Sequence, residues 1–172
     1  MDSDQVAKYN QMVNDARIRA IMQSQEQIES SGGRNVDHAE VKYGLHKGTS
    51  AKGRYGIMPE TLRSLAKGMS KDKEAQEATS IEDEQQLKEY FASHPQLEDR
   101  LARQYIEKAN KSMGGDYDPE KITYAWQWGQ NKTPEDYELH KNDPAVKERW
   151  AKVKGMFKDP YPYQGQIGRA HV

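Results

Sequence analysis

The 172-residue chain is rich in charge and lean in apolar residues, with 31% charged and 34% hydrophobic positions. Its 26 basic and 27 acidic residues nearly cancel, to a net charge of −1, which gives no support for a nucleic-acid or anionic-membrane binder. The absence of cysteine excludes disulfides, thiol catalysis and thiolate metal sites. The length predicts a single domain over residues 1–172, and ten Tyr and three Trp argue against disorder.

Helical spacing dominates the chain and predicts an all-α fold with one elaborate loop. The first helix is predicted over residues 4–28, with Ser3 or Asp4 as its cap and the Ser-Ser-Gly-Gly run at 30–33 as its end. Its apolar face consists of Val6, Tyr9, Val13, Ala16, Ala20, Ile21 and Ile28. No apolar run reaches 18 residues, so no membrane-spanning helix is expected.

The remaining elements follow from proline, glycine and apolar periodicity. Residues 34–55 are polar and glycine-rich, which predicts a long loop or small hairpin. Pro59 opens a helix that ends near Gly68, and a charged connector occupies residues 70–78. Later helices are predicted to begin near Ser80, Leu97, Pro119, Pro134 and Pro144. Residues 159–172 are predicted to be an extended tail.

Glu29 draws attention by its surroundings. A single Glu at a helix end is ordinarily a solvated charge. Here it follows Ile28 on an amphipathic helix and precedes a turn and a long loop that could wall a cleft. Desolvation in such a place would disfavour the charged form, keeping the carboxyl protonated and ready to act as a general acid.

Three segments in order resemble the lytic transglycosylase family of the lysozyme-like superfamily. They are Glu29-Ser30, the Gly-Arg-Tyr-Gly-Ile-Met-Pro-Glu-Thr run at 53–61, and the Tyr-Ala-Trp-Gln-Trp-Gly run at 124–129. The family carries a Glu-Ser pair, then Gly-x-x-Gln-Ile-Met-Pro-x-Thr, then Ala-Tyr-Asn-Ala-Gly. The resemblance spans roughly residues 10–155.

The resemblance implies a soluble lytic transglycosylase-type catalytic domain, with helices around a glycan cleft. It places Glu29 as the catalytic acid and base that cleaves the β-1,4 bond between N-acetylmuramic acid and N-acetylglucosamine in peptidoglycan. Glycan strands would be the partner of a monomer that needs no cofactor or metal. The candidate substrate-binding residues are Ser30, Asp37, Glu40, Tyr55, Gly56, Ile57, Met58, Tyr124, Trp126 and Gln127. Ile57 and Met58 are equally well explained as ordinary core.

Two departures from the family pattern bear on the site. Gly56 stands where the family has Gln, and Trp126 and Gln127 stand where it has Tyr and Asn. The lost tyrosine hydroxyl could be replaced by Tyr55 or Tyr124, although Tyr124 is better explained as a structural aromatic.

The acids of the loop, Asp37 and Glu40, are either solvent-exposed charges or part of a substrate lid. They are the available candidates for the second carboxylate that a lysozyme-type hydrolysis would use. They also suggest tolerance of de-N-acetylated peptidoglycan, whose ammonium groups attract carboxylates. The five His of the chain form no spaced ligand set, so no metal site is predicted.

Two alternatives and a location complete the expectations. A catalytically inactive glycan-binding module, or a structural component with a lysozyme-like fold, would share these motifs. The Met-Asp-Ser-Asp start lacks the features of a signal peptide. A peptidoglycan substrate implies a periplasmic or secreted protein, so an export signal is expected to precede this segment.

Overall fold

The computed structural model describes residues 2–30, 37–40 and 50–157, and for 37–40 and 50–52 only the backbone. Helices dominate, which confirms the predicted all-α fold. The helices are α1 (Ser3–Ser30), α2 (Pro59–Lys67), α3 (Lys73–Thr79), α4 (Glu84–Ser93), α5 (Pro95–Ser112), α6 (Pro119–Trp128), α7 (Pro134–His140) and α8 (Pro144–Met156). The short strands β1 (Asp37–Glu40) and β2 (Ser50–Lys52) pair antiparallel, as the predicted small hairpin requires.

The described residues fall into two compact units. The central unit, Gln25–Lys108, holds the end of α1, the two strands, α2 to α4 and most of α5. The terminal unit holds residues 2–24 and 109–157, which include most of α1, the end of α5 and α6 to α8. The prediction of a single domain stays a prediction, and the predicted tail at 159–172 lies outside the described residues.

Helix α1 begins at Ser3, one residue earlier than predicted from the sequence. The Asp2 carboxylate accepts the backbone N–H of Gln5 at 2.8 Å, and the Gln5 side chain accepts the N–H of Asp2 at 2.9 Å. Asp2 therefore caps the helix, and the prediction of Ser3 or Asp4 as the cap was wrong. Val6 and Tyr9 of the predicted apolar face are 42% and 40% exposed. Periodicity shows which residues share a helix face, but it does not show how much of that face other helices cover.

In the central unit, α2 begins at Pro59 as predicted, but the predicted connector at 70–78 was wrong. That segment contains α3, whose start is capped by Asp72 through a 3.1 Å bond from the backbone N–H of Ala75. Ala75 and Ala78 are fully buried. Two alanines three residues apart give only a weak apolar pattern. Because the residues around them are charged, the sequence did not indicate a helix here.

The terminal unit is built on aromatic and small apolar residues. Asp118 and Thr133 cap α6 and α7 through their side chains, and the prolines at 119, 134 and 144 occupy first helical turns as predicted. The buried cluster of this unit consists of Ala109, Met113, Tyr124, Ala125, Tyr137 and Val146.

Candidate functional site

Glu29, the penultimate residue of α1, lies half-buried with its carboxyl against the backbone of Gly56. A Cβ added at Gly56 would lie 2.6 Å from Oε2 and 3.0 Å from Cδ of Glu29. Gly56 also has φ +65°, a backbone conformation that other L-residues rarely adopt. Any side chain at this position would therefore displace the Glu29 carboxyl.

Backbone conformation and the nearby Glu29 carboxyl both favour glycine at position 56. The family pattern has Gln at this position, and the loss of that amide was the main departure seen in the sequence. A Gln with its Cβ within 3 Å of the Glu29 carboxyl would not fit the present arrangement.

Ser30 joins the end of α1 to the turn at residues 53–56. Its side chain is buried, and its hydroxyl oxygen lies 2.7 Å from the carbonyl oxygen of Arg54 and 3.0 Å from that of Glu26, so its single proton is donated to one or shared between them. The hydroxyl is therefore used inside the protein, where it holds the chain that follows β2 against the helix that carries Glu29. A contact between Ser30 and substrate stays a prediction.

Arg54 is the centre of an ion-pair network that the sequence analysis did not find. Its Nε donates to Glu26 Oε2 at 2.7 Å, and its Nη2 donates to Asp99 and, at 2.9 Å, to the Tyr55 hydroxyl. The Tyr55 hydroxyl in turn donates to Asp99 Oδ1 at 2.5 Å. Because a hydroxyl has one proton, Tyr55 has already used the donor that was expected to orient Glu29.

Burial and the hydrogen bond to Asp99 raise the pKa of Tyr55. Its side chain is 4% exposed, so its structural role in the network is clear, while a contact with substrate stays a prediction.

Glu98 is a buried carboxyl group beneath the same turn. It is 4% exposed, and its Oε1 accepts the backbone N–H of Arg54 at 2.7 Å. A Cβ at Gly53, where φ is +115°, would lie 2.9 Å from that oxygen, so a larger residue would strain the backbone and displace the Glu98 carboxyl. Burial raises the pKa of Glu98, against the opposing effect of the Arg54 N–H and charge.

Residues after the turn lead directly into α2. Ile57 is 6% exposed, and Met58, the extended residue before α2, is partly exposed. Ile57 thus belongs to the core, as one of the two sequence interpretations held. Met58 keeps some surface near the site residues, and its contact with substrate stays a prediction.

The third motif, at residues 124–129, lies in the terminal unit. Tyr124 and Trp126 are 3% and 7% exposed, whereas Gln127 is exposed and Trp128 is 36% exposed. The Tyr124 ring stacks on Trp128 at 5.5 Å and meets Tyr137 edge-on at 5.6 Å, which supports its structural interpretation. Trp128, which the sequence analysis passed over, is the indole of this motif that offers a face to solvent.

The side chains of Asp37 and Glu40, at the two ends of β1, lie outside the described part of the structure. Their predicted roles as lid residues, as a second carboxylate or as recognition groups for de-N-acetylated glycan therefore stay predictions.

Comparison of the chain with protein-family models, curated proteins and solved structures gives no match. Among the described residues, no group of three or more His, Asp or Glu side chains is arranged to hold a metal ion. No helix in that part of the chain is long and apolar enough to cross a membrane.

Proposed function

We propose that the protein cleaves the β-1,4 bond between N-acetylmuramic acid and N-acetylglucosamine in peptidoglycan, as a lytic transglycosylase with Glu29 as its general acid and base. The observation that carries the proposal is the half-buried Glu29 carboxyl, which lies against Gly56 at the end of α1. The resemblance of the Glu29-Ser30 pair and of the 53–61 segment to the family motifs supports it. Both segments belong to the central unit.

The proposed reaction needs one titrating carboxyl group. Glu29 donates its proton to the glycosidic oxygen as the bond to C1 of the muramyl residue breaks and an oxocarbenium-like centre develops. The resulting Glu29 carboxylate then takes the proton of the muramyl C6 hydroxyl, whose oxygen bonds to C1. The ring closes as a 1,6-anhydro sugar, and Glu29 regains its proton for the next cycle.

The surroundings of Glu29 suit this double role. The Gly56 backbone lies against one side of the carboxyl, and the Glu29 side chain is only half-buried. Of the other carboxylates at this turn, Glu26 and Asp99 pair with the Arg54 guanidinium and Glu98 accepts a backbone N–H. These bonded carboxylates are poor candidates for activating a water, so none of the three supports the hydrolytic route.

The reaction is tested by replacing Glu29 with Gln, which removes the transferable proton while keeping the shape. We expect turnover of purified cell walls to fall by about 10²–10⁴-fold, the usual contribution of general acid–base catalysis. Glu60→Gln is the matched control, since Glu60 lies in the same unit and pairs with Arg63 on the surface. Equal turnover by folded Glu29→Gln and Glu60→Gln proteins would refute Glu29 as the catalytic acid, whereas absence of turnover by the wild-type protein would favour a glycan-binding or structural role.

Mass spectrometry of the products separates the two chemical outcomes. The anhydro route gives muropeptides lighter by one water than the products of hydrolysis. Reducing muramyl ends alone would show a lysozyme-type hydrolase and direct attention to Asp37 and Glu40. Since peptidoglycan is the substrate, the proposed place of action is the periplasm or the outside of the cell.

A further inference from the structure

We propose that Arg54 is a positioning residue for Glu29, holding the turn at residues 53–56 so that the Gly56 backbone stays against the Glu29 carboxyl. This inference rests on the proposed function, because Glu29 is the acid that would be positioned. We call the assembly around Arg54 the Arg54 clamp. It consists of Glu26, Ser30, Arg54, Tyr55, Glu98 and Asp99.

Arg54 is held at its backbone and along its side chain. Its backbone N–H donates to Glu98 at 2.7 Å, and its carbonyl accepts the Ser30 hydroxyl at 2.7 Å. Its guanidinium bonds Glu26 on one side and Asp99 on the other. A residue bonded at its backbone and along its side chain cannot shift without breaking several of these bonds, so the bonds restrain the turn that contains it.

The clamp fixes both partners of the contact between Glu29 and Gly56. Glu26 and Ser30 lie three residues before and one residue after Glu29 on α1. Arg54 lies two residues before Gly56 in the turn. The same guanidinium and the same carbonyl therefore tie the helix end that carries the acid to the backbone that covers it.

The clamp residues on α5 supply the other side. Glu98 and Asp99 are adjacent residues of α5, and they bond respectively the backbone and the side chain of Arg54. The Glu98 carboxylate also occupies the space beside Gly53. The turn is therefore bonded to an 18-residue helix, which is a more rigid support than a loop.

Arginine suits this role better than lysine. Its planar fork reaches Glu26 and Asp99 at once, and its Cζ lies 5.1 Å from the centre of the Tyr55 ring. The ion pairs are partly exposed, with side chains between 24% and 42% accessible. Partly exposed pairs contribute little to stability one by one, so placing the turn is the larger consequence of the network.

Arg100 provides a matched control on the same helix. It also pairs with two carboxylates, Asp72 at 2.7 Å and Glu74 at 2.9 Å, and it ties α5 to the start of α3. Its side chain is 38% exposed, comparable with the 25% of Arg54. Arg100→Ala removes an equivalent set of ion pairs without removing a bond to the 53–56 turn.

The test compares Arg54→Ala, Arg54→Lys and Arg100→Ala for kcat and KM on peptidoglycan, thermal midpoint, and amide hydrogen exchange at residues 53–58. We expect Arg54→Ala to lower kcat by about 10²-fold with a much smaller change in KM, as for a catalytic group displaced by about 1 Å. Arg54→Lys should recover only part of the loss. Arg100→Ala should keep kcat within about two-fold despite a similar fall in thermal midpoint. Exchange at 53–58 should rise in the Arg54 variants alone.

Equal losses of kcat in Arg54→Ala and Arg100→Ala, at equal loss of thermal midpoint, would overturn the proposal. So would full recovery by Arg54→Lys. If Arg54→Ala does not fold, Asp99→Asn removes one arm of the clamp and is compared with Asp72→Asn in the same assays. If the wild-type protein does not cleave peptidoglycan, the proposed function fails, and hydrogen exchange at 53–58 still decides whether Arg54 holds the turn.

Discussion

The two units of the molecule hold their chain segments in different ways. In the central unit, the turn beside Glu29 is fixed by charged and hydrogen-bonded groups around Arg54, several of which retain access to water. In the terminal unit, the segment at 124–129 rests on stacked rings and buried apolar side chains. Directional bonds set where one backbone lies relative to one carboxyl, whereas apolar packing supplies stability without a comparable demand on direction.

Glycines at positive φ show the same contrast. Gly56 has φ +65° and lies against the Glu29 carboxyl, while Gly115 in the terminal unit has φ +81° and no heavy atom within 4 Å of an added Cβ. Both positions favour glycine for backbone reasons. Only at position 56 does the absence of a Cβ also leave space for another side chain, that of Glu29.

The largest expected effect comes from Gly56→Ala. The strained backbone of this variant should cost about 1–3 kcal/mol of stability. The displaced Glu29 carboxyl should lower the rate of cell-wall digestion by about 10²-fold. Gly115→Ala carries similar strain without the collision, and its kcat should remain near that of the wild type. Denaturant unfolding and wall-digestion rates of the two variants check this. Comparable losses of activity would show that the contact with Glu29 has no catalytic consequence.

The next effect is on stability and belongs to the terminal unit. Met113 is 1% exposed within the buried cluster, and Met113→Ala should lower the free energy of unfolding by about 2–5 kcal/mol. Leu139→Ala, at a side chain that is 76% exposed, should change it by no more than about 0.5 kcal/mol. Below the melting range, both proteins should keep the wild-type kcat. A selective loss of kcat in folded Met113→Ala would mean that the terminal packing also sets the geometry of the acid.

A smaller effect depends on pH and involves Glu98. Burial raises the pKa of Glu98, so the folded protein binds that proton more tightly than the unfolded chain does. The stabilisation by Glu98 is therefore complete below the unfolded pKa near 4.5 and is lost as pH rises through the folded pKa. Glu98→Gln, which keeps an acceptor for the Arg54 N–H, should gain stability relative to wild type as pH rises above the unfolded pKa near 4.5 and through the folded pKa.

The pKa of Asp72 is shifted in the opposite direction, so its effect on stability should have the opposite dependence on pH. The Arg100 hydrogen bond lowers the pKa of Asp72, so its stabilisation is present above the unfolded pKa of 3.8 and is lost as pH falls through the folded pKa. Asp72→Asn should therefore lose stability near neutral pH and approach wild type in acid. Unfolding free energies across the pH range, for both variants, check the two signs. A pH-independent difference for Glu98→Gln would mean that its buried carboxyl does not titrate differently on folding.

The smallest expected effect concerns Trp128. If its exposed face contacts a sugar ring, Trp128→Ala should weaken binding by a few-fold to about ten-fold, the range of about 0.5–1.5 kcal/mol typical of aromatic contacts. Trp128→Phe should recover most of it. Calorimetric titration of an N-acetylglucosamine oligomer, on a Glu29→Gln background to prevent turnover, measures both. Unchanged affinity in Trp128→Ala would restrict the role of this indole to packing on Tyr124.

The sequence by itself determined much of the helical framework. Prolines at 59, 119, 134 and 144 occur at or next to helix starts in the structure, because proline fits a first helical turn and needs no N–H partner there. The helix predicted to begin near Leu97 is α5, which begins two residues earlier at Pro95. Helix α3 was missed because its buried face consists of two alanines, whose contribution to hydrophobic periodicity is small.

Only the tertiary structure decided what surrounds Glu29. The sequence placed Glu29, Ser30 and Gly56 in recognisable motifs, since the order of residues along a chain is visible without a fold. It could not show that Arg54 joins Glu26 to Asp99, 73 residues further along, because long-range pairs leave no periodic trace in one sequence. It also read Gly56 as the loss of a side chain, whereas the packing shows a space that the Glu29 carboxyl occupies.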